Sequence, residues 1–307
     1  FLAANRDSAR FADTAYALKA SAGPVVAAGR IWVGDSTGRL VPVSTNATGN
    51  GIATGLARIQ SICATVRQGR PFLAAVDTSG TAALVDPSNG SPTLLKSSSL
   101  VATRGEVFQI LSTDFDRDGV ADLAVVGSFG NAIVWSGAGN TPFAGWPKAF
   151  PRGANGIGEP GTAALADLDG DGRPELVFAG TDRIYAVDAS GIPLAGWPAR
   201  IVPTESVGQS TSWSQYPAGI LGASPLIADL DGDASPEVVA GTSHGQIMAW
   251  TKTGKPFGGA ALSRTTGSGI APIYQQASWP LSAGGQVLDS IEPFRSPYLP
   301  LAFVSRK

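Results

Sequence analysis

The sequence predicts an all-β fold in which similar four-stranded antiparallel sheets repeat around a centre, that is, a β-propeller. Gly and Pro number 39 and 22 among 307 residues, and charged residues are only 15%. This composition favours short strands joined by tight turns. A strand–turn–strand pattern also recurs along the chain, with its turns 42 to 63 residues apart. A repeat with this spacing is typical of propeller blades.

Five segments carry the repeat, and each pairs two apolar runs of β-forming residues around a turn. They are residues 30–44, 72–86, 123–136, 176–188 and 238–251. The segments 141–150 and 192–201 follow two of these hairpins and are predicted to supply the outer strand of the blade. We expect Trp146 and Trp197, in these segments, to pack against neighbouring blades.

The repeat predicts one propeller domain over 1–307 with about six blades. The predicted blades are approximately 21–58, 59–105, 106–157, 158–215 and 216–284, with a closing blade made of 285–307 plus 1–20. Each end of the chain resembles part of a blade, and closing the ring with strands from both termini removes exposed sheet edges. One alternative is that the chain is a fragment of a longer propeller. The alternative blade number is seven.

Three consecutive units carry an acidic loop before the repeated hairpin, with carboxylates at positions 1, 3, 5 and 9. These residues are Asp114, Asp116, Asp118 and Asp122; Asp167, Asp169, Asp171 and Glu175; and Asp229, Asp231, Asp233 and Glu237. Alternate carboxylates in a tightly turning loop point at one centre, and the backbone carbonyl at position 7 (Val120, Arg173 or Ser235) can add another oxygen. Several hard oxygen ligands favour Ca²⁺ over Mg²⁺.

The charge of these loops supports the same interpretation. They hold twelve of the 24 acidic residues of the chain, and four close carboxylates repel one another unless a cation balances them. The sequence therefore predicts up to three Ca²⁺ ions with a structural role.

The flanks of the loops exclude an EF-hand, which needs a bidentate Glu at position 12 and helices on both sides. Position 12 is Val125, Phe178 or Ala240, and the flanks are β-like. The pattern instead resembles the FG-GAP or VCBS repeats of integrin α-chain propellers and bacterial surface proteins. The resemblance covers about 21–307 and is strongest over 106–260. It implies a propeller with seven blades in integrins and a variable number elsewhere.

Three departures from the pattern limit the expected metal sites. The second unit has 64–72 in place of the loop, without a ligand carboxylate, and the first unit has only a tight turn at Ala28 and Gly29. We expect neither to bind metal. In the third acidic loop Ala234 replaces the position-6 glycine. If the backbone there has a positive φ, the cost is about 1 kcal/mol, so the site at 229–237 should be the weakest.

Signals for catalysis are weak. Two GxSxG matches, 34–38 and 241–245, fall on the repeated turn rather than on a strand-to-helix elbow, and the single histidine, His244, lies inside one of them. Cys63 sits in an apolar strand, which favours a buried structural thiol. Carboxylate-pair chemistry stays open as an alternative, with the free acids Asp35, Asp77, Asp188 and Glu205.

The function predicted is a non-catalytic, Ca²⁺-stabilised scaffold outside the cell, secreted or attached to the surface, for adhesion, binding or surface assembly. The net charge of −2 gives no reason to expect nucleic acid, and no apolar run reaches the roughly 18 residues of a membrane span. The expected partner is a protein or glycan at the cell surface, in a homo- or hetero-oligomer or within a larger chain. The balance of Arg, Lys and Ala hints at a bacterial source.

Two alternatives remain open. The first is a carbohydrate-binding propeller, lectin-like, whose site would include the loop aromatics Trp213 and Tyr216. The second is the accessory or catalytic propeller of a secreted hydrolase or lyase.

Overall fold

The computed structural model describes residues 20–43, 51–95, 100, 102, 105–150, 163–179, 183–200, 225–241 and 247–257. Regular structure in these ranges consists of nineteen β-strands in five antiparallel sheets. Among the described residues, no helix is long and apolar enough to cross a membrane.

The chain divides into two compact units, Phe1–Lys96 and Ser97–Lys307. The first unit contains two four-stranded sheets, each with its strands in chain order. Sheet 1 comprises β1 (Ala20–Ala27), β2 (Arg30–Asp35), β3 (Arg39–Val43) and β4 (Ile52–Ala53); sheet 2 comprises β5 (Ile59–Arg67), β6 (Arg70–Asp77), β7 (Ala82–Asp86) and β8 (Ser91–Leu95).

The second unit contains three further sheets with the same order. Sheet 3 comprises β9 (Phe108–Thr113), β10 (Asp122–Gly127), β11 (Asn131–Trp135) and β12 (Lys148–Ala149); sheet 4 comprises β13 (Ala163–Ala166), β14 (Glu175–Ala179), β15 (Arg183–Val187) and β16 (Ala199–Arg200); sheet 5 comprises β17 (Leu226–Ala228), β18 (Glu237–Gly241) and β19 (Ile247–Trp250).

The second and third strands form the core of each unit. Every residue of β10 is buried, because both faces of this strand are covered, and a strand of that kind is a continuous apolar run rather than an alternating one. In the first unit, Leu40 of sheet 1 and Leu73 of sheet 2 belong to one buried cluster. In the second unit, Val177 of sheet 4 and Val238 of sheet 5 do the same. The apolar hairpins thus become sheets stacked face to face.

Two tryptophans link consecutive sheets of the second unit. The indole N–H of Trp146 donates a hydrogen bond to the carbonyl of Ala189 at 2.8 Å, and that of Trp197 donates one to the carbonyl of Lys252 at 2.9 Å. Each acceptor lies in the turn after the third strand of the following sheet. The prediction that these residues pack against neighbouring blades is confirmed. The predicted outer strands at 141–150 and 192–201 are also present as β12 and β16, although each has only two residues.

Close backbone contact accompanies the second of these links. A Cβ atom on Gly254 would lie 2.5 Å from the carbonyl oxygen of Gly196, and one on Gly196 would overlap the carbonyl of Thr253. Both glycines have positive φ, 70° and 88°. Only glycine satisfies the conformation and the space at this junction.

The fold prediction is confirmed: the described residues are all-β, and they form antiparallel propeller blades, four with four strands and one with three described strands. The proposed closing blade, 285–307 plus 1–20, lies outside the described residues except for Ala20. Ring closure, the count of about six blades and the single-domain boundary therefore stay predictions.

Candidate metal centres

The three acidic loops occupy the same place in sheets 3, 4 and 5, between the first and second strands. In each, the residue before position 1 pairs across the ladder with position 9: Thr113 with Asp122, Ala166 with Glu175, and Ala228 with Glu237. The hairpin register therefore brings both ends of the loop together. A segment with carboxylates at its first and last positions becomes a compact acidic cluster.

Positions 1, 3 and 9 converge in all three loops. In each group the three residues can offer oxygen atoms that all lie within 4.8 Å of one another. The groups are Asp114, Asp116 and Asp122; Asp167, Asp169 and Glu175; and Asp229, Asp231 and Glu237. Nine of the twelve predicted carboxylates thus converge as predicted.

The position-9 carboxylate lies at the buried base of each cluster. Asp122, Glu175 and Glu237 are 0%, 2% and 3% exposed. Each accepts a hydrogen bond from the backbone N–H of position 2, at 2.8 Å from Phe115, 2.7 Å from Leu168 and 2.9 Å from Leu230. The side chains of Phe115 and Leu168 are themselves buried. One apolar anchor and one buried acceptor therefore hold each loop.

Burial makes these base carboxylates difficult to ionise. Desolvation, with a further contribution from the other loop aspartates, raises the pKa of Asp122 to about 6 and that of Glu175 to about 7. The same causes raise the pKa of Glu237. Hydrogen bonds from the position-2 N–H groups oppose the shift without cancelling it. A nearby cation would remove this penalty.

The position-5 carboxylates lie outside these groups of three. Asp118, Asp171 and Asp233 each accept a 2.7 Å hydrogen bond from the backbone N–H of position 7. These bonds shape the turn that leads into the second strand. Ligation by position 5 and by the position-7 carbonyls of Val120, Arg173 and Ser235 stays a prediction.

Positions 4 and 6 of every loop have a positive φ. At position 6, φ is 82° in Gly119, 79° in Gly172 and 67° in Ala234, so the suspected strain at Ala234 is present. At position 4, φ is 80° in Gly170 and 82° in Gly232, whereas the first loop places Arg117 there at 63°. The strain at Arg117 was not predicted from the sequence, although glycine at position 4 of both other loops was a usable signal.

Sheets 1 and 2 close the equivalent hairpin in two residues. Ala28 and Gly29 join β1 to β2, and Gln68 and Gly69 join β5 to β6; all four have positive φ, between 49° and 71°. Two-residue turns of this kind match the twist of the flanking strands. Within the described residues of these two sheets, no three acidic side chains converge as they do in sheets 3, 4 and 5. That these two sheets bind no metal stays a prediction.

Among the remaining candidate catalytic and ligand-binding residues, those that the structure describes lie in turns or in the protein interior. Asp77 accepts hydrogen bonds from the N–H groups of Ser79 and Thr81, and Asp35 and Asp188 cap equivalent turns. Burial raises the pKa of the Cys63 thiol to about 12. Trp213, Tyr216, Glu205 and His244 lie outside the described residues.

The donor set fits a cation of the size of Ca²⁺. Calcium–oxygen distances of about 2.3–2.6 Å allow two ligand atoms on one ion to be up to roughly 5 Å apart, and the oxygens of each cluster lie within 4.8 Å of one another. All three donors of each cluster are carboxylates, the hard ligands that such ions prefer.

Sequence comparison identifies the repeat around two of these loops. Residues 114–178, which span the first and second acidic loops, match the family model described as an FG-GAP-like repeat. The third loop lies beyond the matched residues but shares the register, the convergent carboxylates and the buried base of the FG-GAP-like segment. No curated protein matches the chain significantly.

Solved structures similar to this chain are β-propellers. BamB from Moraxella catarrhalis is 15% identical with a TM-score of 0.52, and the match covers 78% of this chain and 63% of that one. Sqt1 from Saccharomyces cerevisiae is 13% identical with a TM-score of 0.52, covering 78% and 60%. The chain thus spans less than two thirds of the length of these structures, and the similarity shows the fold alone.

Proposed function

We propose that this chain is a non-catalytic propeller scaffold that binds up to three Ca²⁺ ions and functions outside the cell. The observation that carries the proposal is the threefold occurrence of one arrangement. In sheets 3, 4 and 5, carboxylates from positions 1, 3 and 9 converge over a buried base that accepts a hydrogen bond from position 2. An acidic turn that only contacts water gives no reason for the same convergence and the same buried hydrogen bond to occur in three sheets.

The proposed role of the metal is to stabilise the fold. Each loop joins the first two strands of a sheet, and its buried base carboxylate resists ionisation. A bound dication would balance that charge and fix both ends of the loop. Because the cation would bind the folded chain and not the unfolded one, stability should rise with Ca²⁺ by mass action.

The exposure of the loops supports an extracellular location. Asp169 and Asp231 are exposed, and an open site with few fixed ligands binds Ca²⁺ weakly. Extracellular calcium modules typically have dissociation constants of about 10⁻⁴–10⁻³ M, suited to the calcium concentration outside cells. A scaffold of this kind would present its loops to a protein partner at the cell surface. The carbohydrate-binding alternative depends on Trp213 and Tyr216 and stays a prediction.

Thermal unfolding of the full chain tests the proposal. At a Ca²⁺ concentration about tenfold above Kd, each site should add about 1.4 kcal/mol, and three sites should raise Tm by on the order of 10 °C over the value in EGTA. Mg²⁺ at equal ionic strength should give a much smaller rise. The matched control is the triple variant Asp116→Asn, Asp169→Asn, Asp231→Asn, which should respond to neither ion. A wild-type Tm that is equal in Ca²⁺ and EGTA would contradict the proposal.

A further inference from the structure

Arg117 makes an unusual connection between two of the acidic loops. It occupies position 4 of the first loop, and its side chain extends to the second. Its Nε donates a hydrogen bond to the carbonyl of Gly172 at 2.8 Å, and its Nη2 donates to the carbonyl of Asp171 at 2.5 Å. The planar guanidinium thus holds two successive carbonyls at positions 5 and 6 of the second loop.

The surroundings are adapted to this contact. A Cβ atom on Gly172 would overlap the Arg117 guanidinium, so the glycine leaves room for the side chain as well as allowing its own φ of 79°. Arg117 itself has a φ of 63°, a conformation that is unfavourable for a residue with a side chain. The other two loops have glycine at this position and avoid that cost.

We propose that Arg117 positions the second loop and couples the two sites, so that cation binding at 114–122 strengthens binding at 167–175. The inference rests on the proposed Ca²⁺ sites. A cation held by Asp114, Asp116 and Asp122 fixes the backbone that carries Arg117. Less conformational entropy is then lost when the guanidinium orders the carbonyls of the second loop, and a second cation meets a loop already shaped for it.

Two effects act on the coupling in opposite directions: electrostatic repulsion between the bound cations and the hydrogen-bonded contact of Arg117. Repulsion between two bound dications weakens the coupling. Between exposed loops, however, salt screens this repulsion over a Debye length of about 8 Å at physiological ionic strength. The hydrogen-bonded contact is direct and persists in salt. We therefore expect positive coupling of about fivefold at 0.15 M salt, at the low end of measured couplings, and the effect must be reciprocal.

The third loop is an internal control. The second loop has Gly170 at position 4, without a side chain to extend towards the third loop. Coupling through position 4 should therefore link the first and second sites only.

The experiment is a binding cycle in the full chain carrying Asp231→Asn, which leaves two sites for Ca²⁺ calorimetry. Adding Asp116→Asn disables the first site, and the affinity of the second should fall about fivefold while Arg117 is present. In an Arg117→Ala background the same substitution should leave the second site unchanged. Arg117→Lys keeps the charge but lacks the planar pair of N–H donors that contacts both carbonyls, and it should behave like Arg117→Ala.

Arg173→Ala is the matched control, because it removes a positive charge from the exposed surface of the second loop but keeps both the position-7 backbone carbonyl and the Arg117 contact. It should retain the fivefold effect. Equal effects of Asp116→Asn with and without Arg117 would overturn the coupling while leaving the calcium sites intact. Absence of any Ca²⁺ binding in the parent chain would overturn both proposals together.

Discussion

Glu175 accepts a hydrogen bond at 2.7 Å from the backbone N–H of Leu168, which joins position 9 of the second acidic loop to position 2. The side chains of both residues are buried. The loop is therefore fixed from below by the core, and a carboxylate is held where ionisation is unfavourable. Asp122 with Phe115, and Glu237 with Leu230, repeat the relationship.

Glu175→Gln should have opposite effects with and without calcium. Glutamine keeps a carbonyl oxygen for the N–H of Leu168 but removes the charge. In EGTA at pH 7.5 the variant should be at least as stable as the wild type, because burial raises the pKa of Glu175. In saturating Ca²⁺ it should be less stable, since one anionic ligand is lost. Tm measured under both conditions checks this, and a variant less stable in EGTA would contradict it.

Without calcium, stability should fall as the pH rises from about 4.5 to 7.5. The folded-state pKa values of Asp122 and Glu175, about 6 and 7, lie above their ordinary values of 3.8 and 4.5. Their contribution is fully present below the ordinary values and is lost as the pH passes the raised ones. Calcium should reduce this loss, so the gain from Ca²⁺ should grow with pH. Denaturant titrations in EGTA and in Ca²⁺ measure both slopes; a flat profile in EGTA would count against the buried charges.

Ala234→Gly should stabilise the chain and strengthen the third site. Alanine at a φ of 67° costs about 1–2 kcal/mol, and the extra freedom of glycine in the unfolded state offsets about 0.4–1 kcal/mol of this. We expect a net gain of about 0.5–1 kcal/mol in chemical denaturation. Ala121→Gly is the control: this loop residue lacks the positive φ, so the substitution should destabilise by about 0.4–1 kcal/mol. Equal losses in both variants would show that Ala234 is not strained.

Trp197→Phe should cost more than Trp135→Phe. Both tryptophans are buried, but Trp197 donates a hydrogen bond to Lys252, whereas the Trp135 indole N–H has no hydrogen-bond partner among the described residues. The loss of ring size is common to both, so the difference should be about 1 kcal/mol, the typical value of one hydrogen bond. Urea unfolding of the two variants gives this difference directly. If Trp135→Phe costs as much, the link between sheets 4 and 5 does not depend on that bond.

The sequence was sufficient for features set by local pattern. Apolar runs in 30–44, 72–86 and 123–136 predicted the hairpins, and alternating carboxylates predicted the acidic clusters, because both depend on spacing along one short segment. Contacts between repeats were harder to predict from the sequence. The link from Trp146 to Ala189 was expected only as general packing, and the contact from Arg117 to Gly172 was not foreseen. Such contacts depend on how one sheet is set against the next, which no single repeat encodes.

The position-5 aspartates show the limit of a spacing argument within one loop. Asp118 and its equivalents share the alternation of positions 1 and 3, yet they lie outside the three groups of converging carboxylates. The hydrogen bond from the N–H group two residues on does not set them apart, because the position-3 aspartates accept the same bond. Positive φ at positions 4 and 6 directs the backbone here, and two of these six residues, Arg117 and Ala234, are not glycine.

Equilibrium dialysis against Ca²⁺ at 0.15 M salt tests the central claim most directly. The three clusters of positions 1, 3 and 9 predict about three ions per chain for the wild type, with the site at 229–237 the weakest. The single variants Asp116→Asn, Asp169→Asn and Asp231→Asn should each bind one ion fewer. A wild-type chain that binds no Ca²⁺ at millimolar concentration would contradict the account.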